Sequence, residues 1–489
     1  MRYHSYPRLR HATSADSGRL ESLVGWAKAR SSRAVPTRAQ RRWARFALPT
    51  LRRFQMIGIC SSLFIILAWL TTHAAAQAGA PKIAAPPAGF PAATAKPPTP
   101  LPVEEAVLNA VDRLFKQVSG EGQPIEIVID PLIDGITGVE TAATRSIGRR
   151  ISEIVAARYP HIKVLPFSRE NVGRAKFVLI GTFNAINNAG QPAGARDAFW
   201  ICFALVDAKE KVVAAQVGGR ADPAGIDSTP APLFASSPVW ALDNATLAYI
   251  RTCQRSRPGD PVAPEYVDRL EVKAALVEAH AAFDSGRLSD ALTQFRSVAA
   301  SPGGGEVIDA LNGLYLTLMK AGRTQEAMEV FGRLIDAGFR QQRLGVTFLF
   351  EAGSAAFIRD PAVAGVYPAW LERIGDRTRA AGVCLNVIGH ASRTGPERLN
   401  VRLTRARAAT VRDRLLKTAP QLASRVTTAG AGSREVLVGL PVDDAQTALD
   451  RRVEFRPYAC GKRIKAKRHT VASVGPLAVA VHVAALSDQ

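Results

Sequence analysis

The chain has 489 residues, 47% hydrophobic and 21% charged, enough for about two to four domains with ordinary cores and too apolar for a largely disordered chain. Its formal charge of +21 sits mostly at the ends: residues 1–55 carry thirteen Arg/Lys against Asp16 and Glu21, residues 461–489 carry five against Asp488, and only +6 remains between them. Basicity that dilute excludes the clustered footprint that nucleic-acid binding needs.

After the basic leader (1–55) comes MIGICSSLFIILAWLTT (56–72), an uncharged apolar run preceded by Arg52 and Arg53 and followed by small residues at Ala76 and Ala78. Over 56–78 this is the order of a signal peptide cleaved after Ala78. An uncleaved inner-membrane anchor, its Arg-rich flank holding the N-terminus in the cytoplasm, is the alternative, and membrane association would follow from it. Export would put Cys202, Cys253, Cys384 and Cys460 in an oxidising compartment. Pairing within each half, Cys202 with Cys253 and Cys384 with Cys460, is the simplest of three connectivities, with buried free thiols as the alternative. No CxxC or His/Cys cluster points to a metal, and nothing calls for a cofactor. Residues 79–103 are rich in Pro and Ala and read as a semi-rigid spacer.

From 104 to 255 the pattern alternates. EEAVLNAVDRLFKQV is a helix, IEIVID (125–130) a strand, and ATRSIGRRISEIVAARY an amphipathic helix with Ile147, Ile151, Ile154 and Val155 as its apolar stripe. IKVLPF, KFVLIGTFNAI, FWICFALVD and KVVAAQV read as four more strands, and LDNATLAYIRTC closes a small α/β or α+β domain. KFVLIGTFNAINN followed by FALVDAKEKVVAAQ resembles the secretion-associated domains of the FlgO, CsgG and TolB N-terminal type. Asp130 and Asp134 follow a strand, where α/β folds place ligands, and are read as turn-forming carboxylates.

Residues 264–338 superpose on themselves at a 36-residue offset: Gly286 on Gly322, Arg287 on Arg323, Ala291 on Ala327, Phe295 on Phe331. Small residues at fixed points let paired helices approach and the aromatic fills the gap between pairs. The pattern resembles the tetratricopeptide repeat, with SPGGG (301–305) absorbing the excess length. Two hairpins are few for an independent solenoid, so they should pack on a neighbour, as a bridge or as a platform for envelope proteins.

Residues 345–459 read β-α-β-α-β-β, a two-layer α/β sandwich: GVTFLFEAGSAAF strand and turn, PAVAGVYPAWLERIGDRTRAA helix, VCLNVIGHASRTG strand and loop, PERLNVRLTRARAATVRDRLLK helix, SRVTTAGAGSREV strand and loop, ALDRRVEFRPYAC strand. GHASRTGPERLNVRLTRARAATV, with FEAGSAA upstream and DRRVEF downstream, resembles the C-terminal domain shared by OmpA, Pal and MotB. The resemblance implies noncovalent binding of peptidoglycan through the diaminopimelate of its stem peptide. That ligand bears a carboxylate and an ammonium on one carbon and needs both signs of charge nearby. Arg407, expected in the early turns of the second helix, would hold the carboxylate with help from the helix start. Asn400 would order the loop or donate to the ligand, and Ser392, Thr394 and His390 complete the candidate site. Where the family carries aspartate this chain has Ser392, so the ammonium lacks its usual partner; Glu397, Asp443 and Asp444 are the nearby acids. Arg451 and Arg452 read as structural ion-pair residues and His390 as packed at the strand end.

No GxSxG, HExxH or phosphate-cradling glycine loop is present. Residues 56–75 lack the proton-carrying aspartate that a MotB-like stator needs. The expectation is a non-catalytic envelope protein of a Gram-negative bacterium, periplasmic or outer-membrane associated, that links peptidoglycan to envelope partners. The alternative is a periplasmic assembly or scaffold factor whose terminal domain has lost stem-peptide binding.

Overall fold

Two five-stranded sheets carry the fold, and two helical hairpins lie in the chain between the first sheet and all but one strand of the second. The computed structural model describes residues 99–118, 124–302 and 307–461. The basic leader, the 56–78 signal or anchor segment, most of the 79–103 spacer and nearly all of the 461–489 tail lie outside the described residues. No helix among the described residues is long and apolar enough to cross a membrane.

The first sheet follows helix α1 (Val103–Lys116) and comprises β1 (Ile125–Ile129), β2 (Ile162–Leu165), β3 (Phe177–Ile186), β4 (Ala198–Asp207) and β5 (Val212–Ala221), in the order β2-β1-β3-β4-β5. β1 is parallel to β2 and β3, whereas β3, β4 and β5 run antiparallel. Between β1 and β2 lies α2 (Ala142–Arg158), which begins at a capping box made by Thr141 and Thr144 and buries Ile147, Ile151, Ile154 and Val155. With α1 it covers one face. The other face is covered by α5 (Asn244–Arg255), α6 (Pro264–Val267) and the start of α7 (Leu270–Asp284). Covering on both sides leaves every residue of β3 buried, so its sequence is largely apolar on both faces rather than alternating, with Thr182 and Asn184 its polar side chains. Short helices α3 (Arg169–Val172) and α4 (Pro232–Ser236) fill the connections.

α7 pairs with α8 (Leu288–Ala300), and α9 (Ile308–Lys320) with α10 (Thr324–Arg340). Each hairpin turns on a glycine with φ +73°, Gly286 and Gly322, a conformation that a Cβ disfavours. Ala291, Ala327, Phe295 and Phe331 are fully buried. Phe331 of α10 stacks on Trp370 at 5.3 Å, so the second hairpin shares one core with the second sheet.

That sheet has the order β6-β7-β10-β8-β9, built from β6 (Val239–Trp240), β7 (Leu344–Val346), β8 (Cys384–His390), β9 (Val426–Gly432) and β10 (Val453–Tyr458). β6 comes from the segment just before α5, within 104–255, and pairs with β7. The layer behind the sheet is α12 (Tyr367–Ala380) and α13 (Glu397–Thr418). The single helix expected over 361–381 is divided into α11 (Pro361–Ala364) and α12, because Pro368 lacks the amide that would continue the first into the second. The last strand begins later than expected, since residues 445–450 form a 3-10 turn. Disulfides join Cys202 to Cys253 and Cys384 to Cys460.

Candidate functional site

β8 ends at His390, after which Ala391 donates its amide to the Gly432 carbonyl and leaves the sheet. The chain turns through Gly395 (φ +76°) and enters α13 behind Pro396. Asn400, in the first turn, donates its side-chain amide to the Thr394 carbonyl at 2.9 Å and so fixes this loop. Ser392 Oγ lies 3.1 Å from Thr394 Oγ1.

Arg407 projects from α13 toward the 350–357 loop, where Phe350 and Phe357 form an isolated bridge. Its Nε donates to the Ser354 carbonyl at 2.9 Å and its Nη2 to the Glu351 carbonyl at 3.5 Å, while the guanidinium lies 4.8 Å from the Phe350 ring centre. Burial lowers its proton affinity and Asp443 opposes that; a guanidinium stays charged in either case. From a third direction Asp443 accepts from Ser392 Oγ at 2.9 Å and from Arg451 Nη1 at 2.7 Å. Arg451 also donates to Thr447 Oγ1 at 2.9 Å.

These groups surround a cavity of about 320 Å³ whose lining includes His390, Ser392, Thr394, Asn400 and Arg407, together with Phe350, Asp443 and Arg451. The five residues singled out in the sequence therefore meet at one place. His390 forms its inner wall. Its side chain is fully buried, neither ring nitrogen has a hydrogen-bond partner, and burial, followed by Arg452, holds its pKa well below the usual histidine value. It is neutral at pH 7.

Three expectations are corrected. Arg407 is in the middle of α13: the helix starts at Glu397, so Arg407 stands about 15 Å along it and out of reach of the first-turn amides. Glu397 turns away, its Oε2 accepting from the Ser433 amide at 3.0 Å while its Oε1 forms an ion pair with Arg434 at 3.4 Å. Asp130 does not form a turn; it is buried beneath the Tyr266 hydroxyl at 2.8 Å with Lys273 3.6 Å away. Asp134 does form one, accepting from the amides of Ile136 and Thr137. Arg452 pairs with the fully buried Glu454. The carbonyls that hold Arg407 belong to the FEAGSAA stretch, whose backbone role leaves no mark on residue type.

No protein-family description matches the chain, and no curated protein does. Solved structures match part of the chain. The periplasmic domain of Helicobacter pylori MotB is 20% identical over 24% of this chain and 74% of its own, with a TM-score of 0.20. The peptidoglycan-associated lipoprotein from Burkholderia pseudomallei is 22% identical over 23% of this chain and 89% of its own, TM-score 0.19. A putative MotB like protein from Desulfovibrio vulgaris is 20% identical over 27% and 94%, TM-score 0.21. Each likeness is confined to about a quarter of this chain.

Proposed function

We propose that this chain is a non-catalytic envelope protein that holds peptidoglycan noncovalently, taking the diaminopimelate of the stem peptide into the cavity beside Arg407. One observation carries the reading: Arg407 lines a cavity of ligand size with its Nη1 making no bond inside the protein among the described residues. A guanidinium half-buried against an aromatic ring, with Nε anchored on backbone, is held ready for a carboxylate at its Nη end. The hydroxyls of Ser392 and Thr394 are the polar groups that could meet the rest of an amino acid. In this reading the helical hairpins join the wall-binding sheet to the first domain and offer their outer helices to envelope partners.

The test is retention of the purified full chain by peptidoglycan sacculi. The full chain is required because β6 lies outside residues 340–460, and a fragment of that span would lose a strand. Arg407→Ala should abolish retention and Arg407→Lys should restore little of it. Retention that survives Arg407→Ala would leave the chain as a scaffold factor acting through protein contacts.

A further inference from the structure

The site has a cation without an acid at the position beside the β8 end, where Ser392 stands, yet a carboxylate reaches the same cavity from the loop between β9 and β10. We infer that Asp443 is the acceptor for the ligand ammonium and that Ser392 and Arg451 are the positioning residues that aim it; this rests on the reading of the site given above.

The argument is in which oxygen is used. Ser392 Oγ and Arg451 Nη1 both donate to Oδ1 of Asp443, at 2.9 and 2.7 Å. Oδ2 accepts no hydrogen bond among the described residues. Two donors on one oxygen fix the plane of the carboxylate and leave the other oxygen to a donor from outside. Ser392 is 4% exposed, so its hydroxyl is part of a fixed wall and not a mobile surface group. A serine cannot supply the charge an ammonium needs, but here it places one that does. Asp443 belongs to the loop before β10, fifty-one residues from Ser392, which is why the pairing is invisible to any local pattern.

Charge balance sets the order of the two contacts. Asp443 is already paired with Arg451, whereas Arg407 has no carboxylate of its own within hydrogen-bond reach among the described residues. The pocket therefore attracts the carboxylate first and discriminates for the ammonium second. Asp443 has a side chain 56% exposed, so solvent screens its contact and the discrimination is moderate, between about threefold and tenfold.

The experiment is competitive release of the full chain from sacculi by meso-diaminopimelate or by pimelate, the same dicarboxylate without amino groups. The wild-type chain should be released by diaminopimelate at a concentration about three to ten times lower than by pimelate. Asp443→Asn should bring that ratio to about one while Arg407-dependent retention persists in weakened form. Ser392→Ala should give an intermediate ratio, because Arg451 still holds Oδ1, and circular dichroism melts would show all variants folded. An unchanged ratio in Asp443→Asn, with retention still dependent on Arg407, would overturn the role of Asp443 alone. A wild-type chain that sacculi do not retain would overturn both this role and the reading beneath it.

Discussion

Gly389 in β8 lies flat against the backbone of Thr404 in α13, so near that a Cβ at Gly389 would collide with the Thr404 carbonyl. Gly430 in β9 repeats the relationship, with its Cβ position 2.6 Å from both the Arg405 amide and the Val401 carbonyl. Helix and strands are thus in backbone contact over one turn of α13, and Thr404 Oγ1 accepts from the Gly432 amide at 3.1 Å to lock it. Arg407 is three residues further along, so this contact sets its reach into the cavity. Gly389→Ala must push the helix off the sheet, which costs about 1–3 kcal/mol as overpacking. The midpoint of urea denaturation should fall accordingly, and sacculus retention should weaken more than the lost stability explains. An unaltered midpoint would show that the helix seat is loose.

Glu454 is fully buried and receives three guanidiniums: Arg343 at 2.6 Å, Arg452 at 2.6 Å and Arg456 at 2.7 Å. Burial alone would raise its pKa, but Arg452 and then Arg343 and Arg456 hold it well below the usual glutamate value of 4.5. Glu454→Gln leaves these cations without their shared anion, Arg452 among them at 4% exposure. Removing one partner of a buried network costs about 3–5 kcal/mol, readable as a large loss of thermal stability at pH 7. The sign with pH follows from the lowered pKa. The stabilisation is present above pH 4.5 and disappears as pH falls through the lower folded value, so the deficit of Glu454→Gln relative to wild type should shrink in acid.

Which of these features can be read in the sequence depends on how locally they are encoded. The stripe Ile147, Ile151, Ile154 and Val155 announces its helix because burial repeats every turn, and Gly286 and Gly322 announce their hairpins because a positive φ selects glycine. His390, Ser392, Thr394, Asn400 and Arg407 fall within eighteen residues, so a strand, a loop and a helix are enough to bring them together. β6 is different: two residues, Val239 and Trp240, show no periodicity, and their place beside β7 is decided by tertiary packing. Asp443 likewise meets Ser392 only through the path of the 433–452 loop. The misplacing of Arg407 near the helix tip has another origin. Pro396 already marks the start of α13, and counting 3.6 residues per turn from it puts Arg407 near the middle.

Asp309, in the first turn of α9, is pushed by burial, and next by the neighbouring Asp243 carboxylate, from its ordinary 3.8 up to about 7; Lys273 works against this and Glu140 adds to it. A carboxyl with a raised folded pKa holds a proton that the unfolded chain has released, so its contribution to stability is full below pH 3.8 and is lost as pH rises to about 7. His280, whose pKa burial lowers from 6.5 to about 3, acts in the opposite sense, losing stability as pH falls below 6.5, so the wild-type profile alone hides both. The difference between Asp309→Asn and wild type isolates the first. Asparagine keeps the shape and cannot ionise, so the variant should melt at the same temperature as wild type near pH 4, at a progressively higher one as pH rises toward 7, and with a constant advantage above that. Thermal melts across pH 4 to 8 measure the difference directly, and a gap independent of pH would mean that Asp309 is ionised in the folded protein throughout.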